Sequence, residues 1–370
     1  MRDGSSTRIP SDLQGAIAAV ERLVQENGWT AVGGITYDGM LALLGLPSRH
    51  TPLFPDLHFF VYDTVMHIGR GKSRFPTTSA GREIPASTSR NDVEVTRKID
   101  RRGYMDRVVE IKRRIFEGDI YQANLTHRFD LLSSQNPFDV YLQLRTLSPA
   151  PYSAYMNFGS YQIISSSPER MFLREGDRIS TGPIKGTIRR DHSPHRDAQL
   201  TAQLQQSEKD RAEHLMIVDL ERNDLGRIAK TGTVSVPELF RPEPYSRLIH
   251  LVSDVTAQLR PDVSFDTICT ALLPGGSITG APKRAAVEIL DAIEETPRGY
   301  YTGCLGYLTR DRADFNIAIR TLIHQDGLYH IHAGGGIVAD SDPEQEYQEL
   351  LLKAHNLFRS LGIEQSSLNV

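Results

Sequence analysis

Apolar residues recur at the spacing of an α-helix in several segments of the chain. In residues 13–24, for example, Ile17, Val20 and Val24 fall on one side of the helix. Gly28 follows this segment, and a glycine just past the last turn is a common helix stop. The same criteria predict helices at residues 104–117, 211–225, 282–293 and 343–361, with Gly118 and Gly362 after the first and last of these.

Shorter runs with strand-like alternation predict β-strands at residues 57–62, 120–129, 152–184 and 307–338. Turns such as Glu175-Gly-Asp177 divide the longer runs, which favours antiparallel meanders over βαβ units. The predicted fold class is α+β, with large antiparallel sheets and helices packed outside them.

Composition along the chain suggests three parts. Residues 1–70 form a small N-terminal subregion, and residues 104–370 form the main domain. Residues 71–103 are rich in Arg, Ser, Thr, Pro and Gly and show little periodicity, so we expect a linker or a flexible excursion there.

Charge and composition exclude several classes of partner. The 370 residues carry a net charge of −4, which does not favour nucleic acid or an anionic membrane surface. Neither a signal peptide nor a membrane span is expected. The two cysteines, Cys269 and Cys304, are far apart in sequence, which suits a reducing compartment and predicts a cytoplasmic protein.

One face of the predicted strand at 120–129 is polar, and one lysine has unusual neighbours. Gln122, Asn124, Thr126 and Arg128 share that face, which either meets solvent or forms the floor of a polar site.

Lys185 lies between Pro-Ile and Gly-Thr at the mouth of a strand. A partly desolvated lysine can lose its proton and act as a nucleophile, whereas a loop lysine is usually solvated.

Carboxylates on two predicted helices suggest a metal site. Glu346 and Glu349 are like charges at i, i+3, and they repel unless a cation lies between them. Asp210 and Glu213 mark the other helix. Oxygen ligands without a His/Cys cluster fit Mg²⁺, which binds through one or two carboxylates plus a ligand anion. The alternatives are an exposed Glu213 and a surface ion pair between Glu349 and Lys353.

Glycine-rich segments suggest sites for small anions. Free amides of Gly334, Gly335 and Gly336 could bind a carboxylate or phosphate, although a glycine run is also typical of a turn or bulge. Residues 274–283 contain Ser277 and precede a helix, but they lack the spacing of a P-loop.

Two further residues have alternative interpretations. Glu169 follows a proline and could act as a general acid if a semi-apolar site raises its pKa; otherwise it pairs with Arg170 or Arg174. Cys304 lies in a segment similar to the nucleophile of glutamine amidotransferases, but no partner histidine has suitable spacing, so we reject that role.

Taken together, these segments resemble the chorismate-utilising enzymes, a family that holds anthranilate synthase component I, isochorismate and salicylate synthases, and aminodeoxychorismate synthase component I. The resemblance covers about residue 104 to the end, with a weaker match at 33–64. It is carried by these motifs in order: Gly118-Asp-Ile-Tyr-Gln122-Ala-Asn-Leu, Pro183-Ile-Lys185-Gly-Thr187, Glu213-His-Leu-Met-Ile-Val-Asp-Leu, Arg222-Asn-Asp-Leu, Gly280-Ala-Pro-Lys283 and His332-Ala-Gly-Gly-Gly336.

The resemblance implies a fold and a set of site residues. The fold is two large antiparallel sheets packed together with helices outside, and the cofactor is Mg²⁺ bound by Glu213 and Glu349, with Glu346 and Asp210 nearby. Glu169 is implied as general acid, and His250 and Ser277 lie beside the ring and its leaving group. The implied substrate-binding residues are Thr187, Tyr301, Arg320, Lys353 and the amides of Gly334, Gly335 and Gly336, with Tyr300 as the alternative to Tyr301.

Two positions distinguish the reactions of the family. Isochorismate-type enzymes have a water-activating lysine where this chain has Gln122, so hydration is disfavoured. Anthranilate synthases usually have alanine where this chain has Lys185, and a lysine there resembles the aminodeoxychorismate synthases. The implied reaction is C4 amination of chorismate through a covalent Lys185 intermediate, in p-aminobenzoate and folate biosynthesis.

The expected partners are chorismate and a separate glutamine amidotransferase subunit that supplies ammonia. The Leu-Leu-Glu-Ser motif of a tryptophan pocket is missing, so tryptophan control is not expected. Two alternatives are kept: anthranilate synthase component I, and a non-catalytic subunit that binds chorismate or another anion.

Overall fold

Residue placement is described for 12–46, 48–66, 93–191, 193–244 and 248–363 in the computed structural model. Two antiparallel sheets lie at its centre. The strands of the first sheet are β1 (Thr30–Ile35), β2 (Leu57–Tyr62), β7 (Arg170–Glu175), β8 (Arg178–Gly182), β9 (Ile184–Arg189), β10 (Ser235–Pro244), β11 (Leu248–Gln258), β13 (Cys304–Leu308) and β14 (Arg312–Ile317). The strands of the second sheet are β3 (Val93–Arg97), β4 (Gln122–Ser133), β5 (Tyr152–Asn157), β6 (Gln162–Ser167), β12 (Gly280–Ala281), β15 (Thr321–Gln325) and β16 (Leu328–Ile337).

Helices cover the outer faces of both sheets. In the described ranges they are α1 (Leu13–Asn27), α2 (Tyr37–Leu43), α3 (Arg101–Phe116), α4 (Pro137–Leu147), α5 (Pro194–Gln206), α6 (Glu208–Gly226), α7 (Phe265–Leu272), α8 (Lys283–Ile293) and α9 (Pro343–Ser360), with a 3₁₀ turn at Gly276–Ile278. None of these helices is long and apolar enough to cross a membrane.

The α+β prediction is confirmed. The strand order of the first sheet is β10-β11-β8-β7-β14-β13-β1-β2 with β9 beside β11, and that of the second is β12-β4-β16-β15-β6-β5 with β3 beside β4. Ile163 and Ile323 of the second sheet pack with Leu305 of the first in one buried cluster, so the sheets lie face to face.

The predicted helices are all present, but the sequence patterns missed others. Helix α3 begins at Arg101, three residues before the predicted start, because the side chain of Asp100 caps it. Helix α9 is capped by Asp342, as its sequence indicates. The missed helices are α2 and α7, which have only seven and eight residues, and α4 and α5, which bury few apolar residues.

Each predicted meander crosses from one sheet to the other. Strands β5 and β6 belong to the second sheet, whereas β7 and β8 belong to the first, and the chain crosses at Glu169. Strands β13 and β14 belong to the first sheet and β15 and β16 to the second, with the crossing at Arg320. The Ile317 amide donates to the Glu169 carbonyl at 3.0 Å, so the two crossings lie side by side.

The predicted division into three parts is not visible as a break in the sheets. Strand β1 of the N-terminal subregion pairs with β13, with Gly33 opposite Gly306. Residues 71–92 of the predicted linker lie outside the described residues. The rest of that prediction is wrong at residues 93–97, which form β3 because they pair with β4.

Candidate active site

The side chain of Lys185 lies at the centre of the predicted site. It is half-buried on β9, and a β-carbon on Gly336 of β16 would lie 3.3 Å from its Nζ and 2.9 Å from Nε2 of Gln122. Burial lowers the pKa of Lys185, and the charge of Lys353 lowers it further. The carboxylates of Glu213, Glu169 and Glu349 act in the opposite direction. This lysine is therefore not a solvated loop residue, and its surroundings favour the neutral amine.

Glu169 is held by hydrogen-bond donors in an apolar environment. It is buried at the crossing between β6 and β7, where it accepts a hydrogen bond from the Ser277 hydroxyl at 3.1 Å and another from the Ile184 amide. Burial raises its pKa to about 7, although the nearby charge of Lys185 and the Ser277 hydrogen bond oppose the shift. A carboxyl of this pKa is suited to general acid catalysis near neutral pH.

The alternative partners of Glu169 make other contacts. Arg170 donates to the Tyr152 hydroxyl at 2.7 Å, and Arg174 donates to the Gly176 carbonyl at 3.1 Å. The ion pair that the sequence left open is thus not formed by either arginine.

The acidic residues of α9 lie against the triple glycine. A β-carbon on Gly335 would be 3.2 Å from Oε2 of Glu346, 3.5 Å from Nζ of Lys353 and 3.8 Å from Oε1 of Glu349. The other oxygen of Glu346 accepts a hydrogen bond from Ser341 at 2.6 Å. The predicted pair between Glu349 and Lys353 forms at 2.7 Å, so it belongs to this cluster as well as to the helix surface.

Two of the three glycine amides face away from β4. The Asn124 amide donates to Thr279 and the Thr126 amide donates to Glu294, so both point away from β16. Asn124 is paired with Gly336 and Thr126 with Gly334. Because such pairs exchange no hydrogen bonds in an antiparallel ladder, the amides of Gly336 and Gly334 point to the far side of β16.

Strand β15 pairs with β16 only at residues 328–331, so it does not cover the glycines. The Gly334 carbonyl confirms the direction, since it accepts a hydrogen bond from Lys353 at 3.0 Å. The ladder directs the amide of Gly335 toward β4 instead. The glycine segment is therefore a strand end that offers alternate amides, not three consecutive ones.

Helix α6 supplies the other predicted metal ligands. Glu213 is half-buried and close enough for its charge to act on Lys185, as the charge of Glu349 does. Asp210 lies beside β9, where a β-carbon on Gly186 would be 3.2 Å from its Cβ. The described residues contain no group of three or more His, Cys, Asp or Glu side chains arranged to hold a metal.

The oxygens of Glu346 and Glu349 nevertheless converge on the space that Gly335 leaves open. Magnesium commonly takes only one or two protein carboxylates and completes its shell with water and ligand oxygens. The donors present thus fit that ion, and Glu213 on the opposite helix would be available to add a further oxygen.

His250 and Thr187 form a pair on neighbouring strands. The Thr187 hydroxyl lies 2.8 Å from Nδ1 of His250, across the β9–β11 ladder. Burial lowers the pKa of His250 to about 4, and the charge of Arg320 adds to the shift. The imidazole is therefore neutral at neutral pH.

Tyr301 is the better of the two neighbouring tyrosines for a site role. Its ring stacks on His332 at 5.0 Å, whereas the Tyr300 hydroxyl is engaged by Tyr161 at 3.0 Å. Arg320 lies at the second sheet crossing with φ of 49°, an unusual conformation for an arginine, and its charge acts on both Glu169 and His250.

Three buried polar residues belong to this region. The sequence left open whether Gln122 meets solvent or lines a polar site, and it gave Tyr104 and Glu221 no site role. Both amide atoms of Gln122 lack a hydrogen-bond partner within the described chain, so the polar face of β4 is the floor of a buried site. The Tyr104 hydroxyl is also without a partner there and lies near Glu346, Glu349 and Tyr301. Glu221 is buried close to Glu169. No sequence signal marked Glu221, which lies among the charged residues Asp219, Arg222 and Asp224.

The sequence and fold match one family of known proteins. Residues 6–359 match the family model described as chorismate binding enzyme. The chain belongs to the chorismate-binding enzyme family. Anthranilate synthase component I of Streptococcus pneumoniae is similar in structure, with a TM-score of 0.77, 30% sequence identity, and coverage of 90% of this chain and 84% of that one.

Two curated relatives of nearly equal similarity are named for different activities. Anthranilate synthase component 1 1 of Haloarcula marismortui is 45% identical over 262 residues, which are 70% of this chain and 54% of the relative. Aminodeoxychorismate synthase component 1 of Escherichia coli is 44% identical over 262 residues, 70% of this chain and 58% of the relative. The chain thus spans a little more than half the length of these curated relatives, and overall identity does not separate the two reactions.

Proposed function

We propose that this protein is the aminating component of an aminodeoxychorismate synthase, which converts chorismate and ammonia to 4-amino-4-deoxychorismate. The observation that carries the proposal is the position of Lys185. Its Nζ faces Gly336 and Gln122, within reach of the charges of Glu169, Glu213 and Glu349. Anion binding would use the charged form of this lysine, whereas the neutral amine that burial favours is suited to attack an electrophilic carbon.

Lys185 acts as the nucleophile. Burial favours its neutral form, whose nitrogen adds to C2 of the chorismate diene. The double bonds shift and the C4–O bond breaks. Glu169 gives its proton to the departing hydroxyl group, which leaves as water.

Ammonia completes the substitution. It adds at C4, the double bonds shift back, and the C2–N bond to Lys185 breaks. Glu169, now a carboxylate, accepts the proton that ammonia gives up, while the enolpyruvyl group stays in place. The neutral imidazole of His250 and the hydroxyl of Ser277 lie beside the ring and help to orient it.

The substrate carboxylates are bound at the opposite side of the site. Glu213, Glu346 and Glu349 would hold Mg²⁺, with Asp210 nearby, and the ion would supply charge neutralisation for the substrate. The amides of Gly334 and Gly336 bind a carboxylate directly, and Lys353 adds positive charge there. Tyr301, Arg320 and Thr187 contact the enolpyruvyl side.

A second component delivers the ammonia. Both relatives compared above are named component 1, and we extend that arrangement to this chain: a glutamine amidotransferase subunit is the proposed partner. Amination of chorismate should therefore not require the partner when an ammonium salt supplies the nitrogen. It should require the partner when glutamine is the nitrogen source.

The decisive experiment looks for the covalent intermediate. The protein is mixed with chorismate and Mg²⁺ in the absence of ammonia and analysed by intact-protein and peptide mass spectrometry. We expect a chorismate-derived mass on the peptide that contains Lys185, and its loss when ammonium chloride is added. Absence of the adduct together with measurable turnover would overturn the lysine mechanism.

Two variants separate catalysis from binding. Lys185→Ala should lower amination by several orders of magnitude while it retains Mg²⁺-dependent chorismate binding measured by calorimetry. Lys230→Ala, which removes an exposed lysine paired with Asp177, is the matched control and should have no effect. Equal loss of binding and turnover in Lys185→Ala would indicate a structural lysine.

Anthranilate synthesis is the second candidate, because a relative of that activity is as similar to this chain as the aminodeoxychorismate synthase. Liquid chromatography with fluorescence detection distinguishes the two products. Anthranilate formed from chorismate and ammonia, with no other enzyme added, would favour this alternative. No turnover and no adduct would favour a non-catalytic binding subunit.

A further inference from the structure

A second buried carboxyl lies close enough to Glu169 for their charges to interact. Glu221 is on α6, and only 9% of its surface is exposed. Its Oε2 atom is buried and has no hydrogen-bond partner in the described part of the chain. Burying an ionised carboxylate without a full set of partners costs free energy, so the site favours the protonated, neutral form of Glu221.

The packing of α6 brings Glu221 to this position. Leu220 lies so close to the turn Gly276–Ile278 that a β-carbon on Gly276 would be 2.2 Å from Cδ2 of the leucine. That turn carries Ser277, which donates to Glu169. The helix that contains Glu221 is thus pressed against the same turn that holds the proposed general acid.

Among the described residues, the cation that acts on Glu221 is shared with another carboxylate. Asp224 lies on the same helix, and Lys283 of α8 pairs with Asp224 at 2.7 Å. Glu169 contributes a like charge from the sheet crossing, and the Thr181 hydroxyl faces Glu221 from β8. Lys283, the cation whose charge acts on Glu221, is therefore already paired with Asp224.

Both carboxyls consequently hold their protons more tightly than usual. Burial raises the pKa of Glu221 to about 8; Thr181 and Lys283 lower it, while Glu169 and Asp224 raise it. The pKa of Glu169 is about 7, also because of burial. Two neighbouring carboxyls in one poorly solvated region titrate as a coupled pair.

We propose that the reactive form of the site carries a proton on both Glu169 and Glu221. Glu221 is then a positioning residue: it stays uncharged and acts through Glu169. This inference rests on the proposed role of Glu169 as general acid. An ionised Glu221 would make Glu169 hold its proton more tightly and so donate it less readily. It would also add negative charge beside a site that binds a dicarboxylate.

The first test compares variants with the wild type over pH 6 to 10. The rate of chorismate consumption is measured with Mg²⁺ and ammonium chloride for Glu221→Gln and for wild type, and the ratio of the two is plotted against pH. This ratio cancels the ionisation of ammonia and of the substrate. Below pH 7 we expect it to be independent of pH, and above pH 8 it should rise about tenfold per pH unit.

The control is Asp219→Asn, which removes an exposed carboxylate of α6 whose side chain is 58% exposed and paired with Arg222. Its ratio to wild type should be flat. A flat ratio for Glu221→Gln as well would overturn the proposal, as would a ratio that falls with rising pH. Consumption of chorismate is the readout because it does not depend on which carbon is aminated.

The second test does not depend on activity. The folded pKa of Glu221, about 8, lies above its ordinary value of 4.5, so the unfolded chain releases this proton first as pH rises. Wild-type stability should therefore fall between these values, and Glu221→Gln should lack that part of the fall.

The urea midpoint of the variant relative to wild type should thus increase from pH 5 to pH 8 and then level off. A constant difference would show that Glu221 is ionised in the folded protein and would overturn the proposal. Because this test needs no substrate, it separates failure of this inference from failure of the proposed function.

Discussion

The amine nitrogen of Lys185 lies 3.3 Å from the point that a β-carbon on Gly336 would occupy. One is on a strand of the first sheet and the other on a strand of the second, so this contact joins the two sheets at the site. The missing side chain at position 336 leaves the lysine the room it occupies.

Gly336→Ala is therefore expected to impair chemistry more than folding. The new methyl would meet the flexible ends of Gln122 and Lys185, which can move without shifting the backbone. Moving the amine by even an ångström would misalign its attack, so turnover should fall by about a hundredfold. Steady-state kinetics and thermal unfolding of the same sample check this.

The two neighbouring glycines provide matched comparisons. In Gly334→Ala the methyl would lie 2.3 Å from the Leu125 carbonyl oxygen, a backbone atom, so this variant should lose stability. In Gly335→Ala the methyl would meet the side chains of Glu346 and Lys353, so this variant should mainly weaken Mg²⁺ binding. If all three variants unfolded to the same extent, the glycines would have a purely structural role.

Ser277→Ala should shift the pH dependence of activity upward. The Ser277 hydroxyl donates to the Glu169 carboxyl and stabilises its ionised form, which opposes the rise in pKa caused by burial. Without that donor the pKa of Glu169 should rise from about 7 by about one unit. The alkaline limb of the rate profile should move to higher pH, by somewhat less than this because ionisation of Glu221 near pH 8 also limits activity.

The control is Ser235→Ala on the exposed part of β10, whose profile should match that of the wild type. An alkaline limb that stays in place in Ser277→Ala, or moves to lower pH, would contradict the role of this hydrogen bond.

Replacing the buried Arg298 next to the site should destabilise the folded protein. Arg298 is 1% exposed and donates to Glu294 at 2.7 Å, to the Asn124 carbonyl at 2.7 Å and to the Ile278 carbonyl at 2.8 Å. Arg298→Met leaves a buried carboxylate without its cation, so the free energy of unfolding should fall by about 3–5 kcal/mol. Urea denaturation measures the change.

A surface pair of the same spacing is the comparison. Arg284 and Glu288 on α8 are also separated by four residues, but their side chains are 67% and 57% exposed. Arg284→Gln should change stability by less than about 0.5 kcal/mol. Similar losses in the two arginine variants would show that burial does not set the strength of the Arg298 contacts.

Stability should fall in mild acid because of a buried histidine. Burial lowers the pKa of His127 to about 4 from an ordinary value of 6.5. The unfolded chain therefore takes up the proton first as pH falls, and the neutral imidazole of the folded state is penalised between those values. This one residue should account for a loss of about 3 kcal/mol from pH 7 to pH 4.

His127→Gln should show a smaller loss of stability over that pH range than the wild type. His195→Gln, at an exposed position of α5, should leave the pH dependence unchanged. Identical acid curves for wild type and His127→Gln would contradict this prediction.

The proposed magnesium ligands can be tested by binding alone. Glu346→Gln removes a carboxylate that faces Gly335, so the Mg²⁺ concentration needed for half-maximal chorismate binding should rise about tenfold or more. Glu344→Gln removes an exposed carboxylate on the same helix and should have no effect. Calorimetric titration with a chelator control measures both, and equal midpoints would argue against a metal role for Glu346.

Local sequence patterns were sufficient for much of this architecture. The cap at Asp342, the left-handed Gly28 and the apolar repeat of α1 specify their helices because each depends on residues within a few turns of one another. The order of short motifs also determined the family, since those motifs match known members in one sequence order.

Only the tertiary structure decided how these elements combine. Each apparent meander changes sheets at Glu169 or Arg320, because strand partners come from distant parts of the chain and local alternation does not specify them. Helices α2 and α7 form because tertiary packing supplies the stability that such short segments lack.

The chemistry of the site divides in the same way. The sequence by itself determined which residue types are present, including Lys185, Glu169 and the acidic pairs of α6 and α9. The tertiary structure alone decided their protonation, as Glu221 illustrates: its neighbours Glu169, Thr181 and Lys283 come from separate elements. A pKa depends on solvent and charge within a few ångströms, and those distances exist only once the chain has folded.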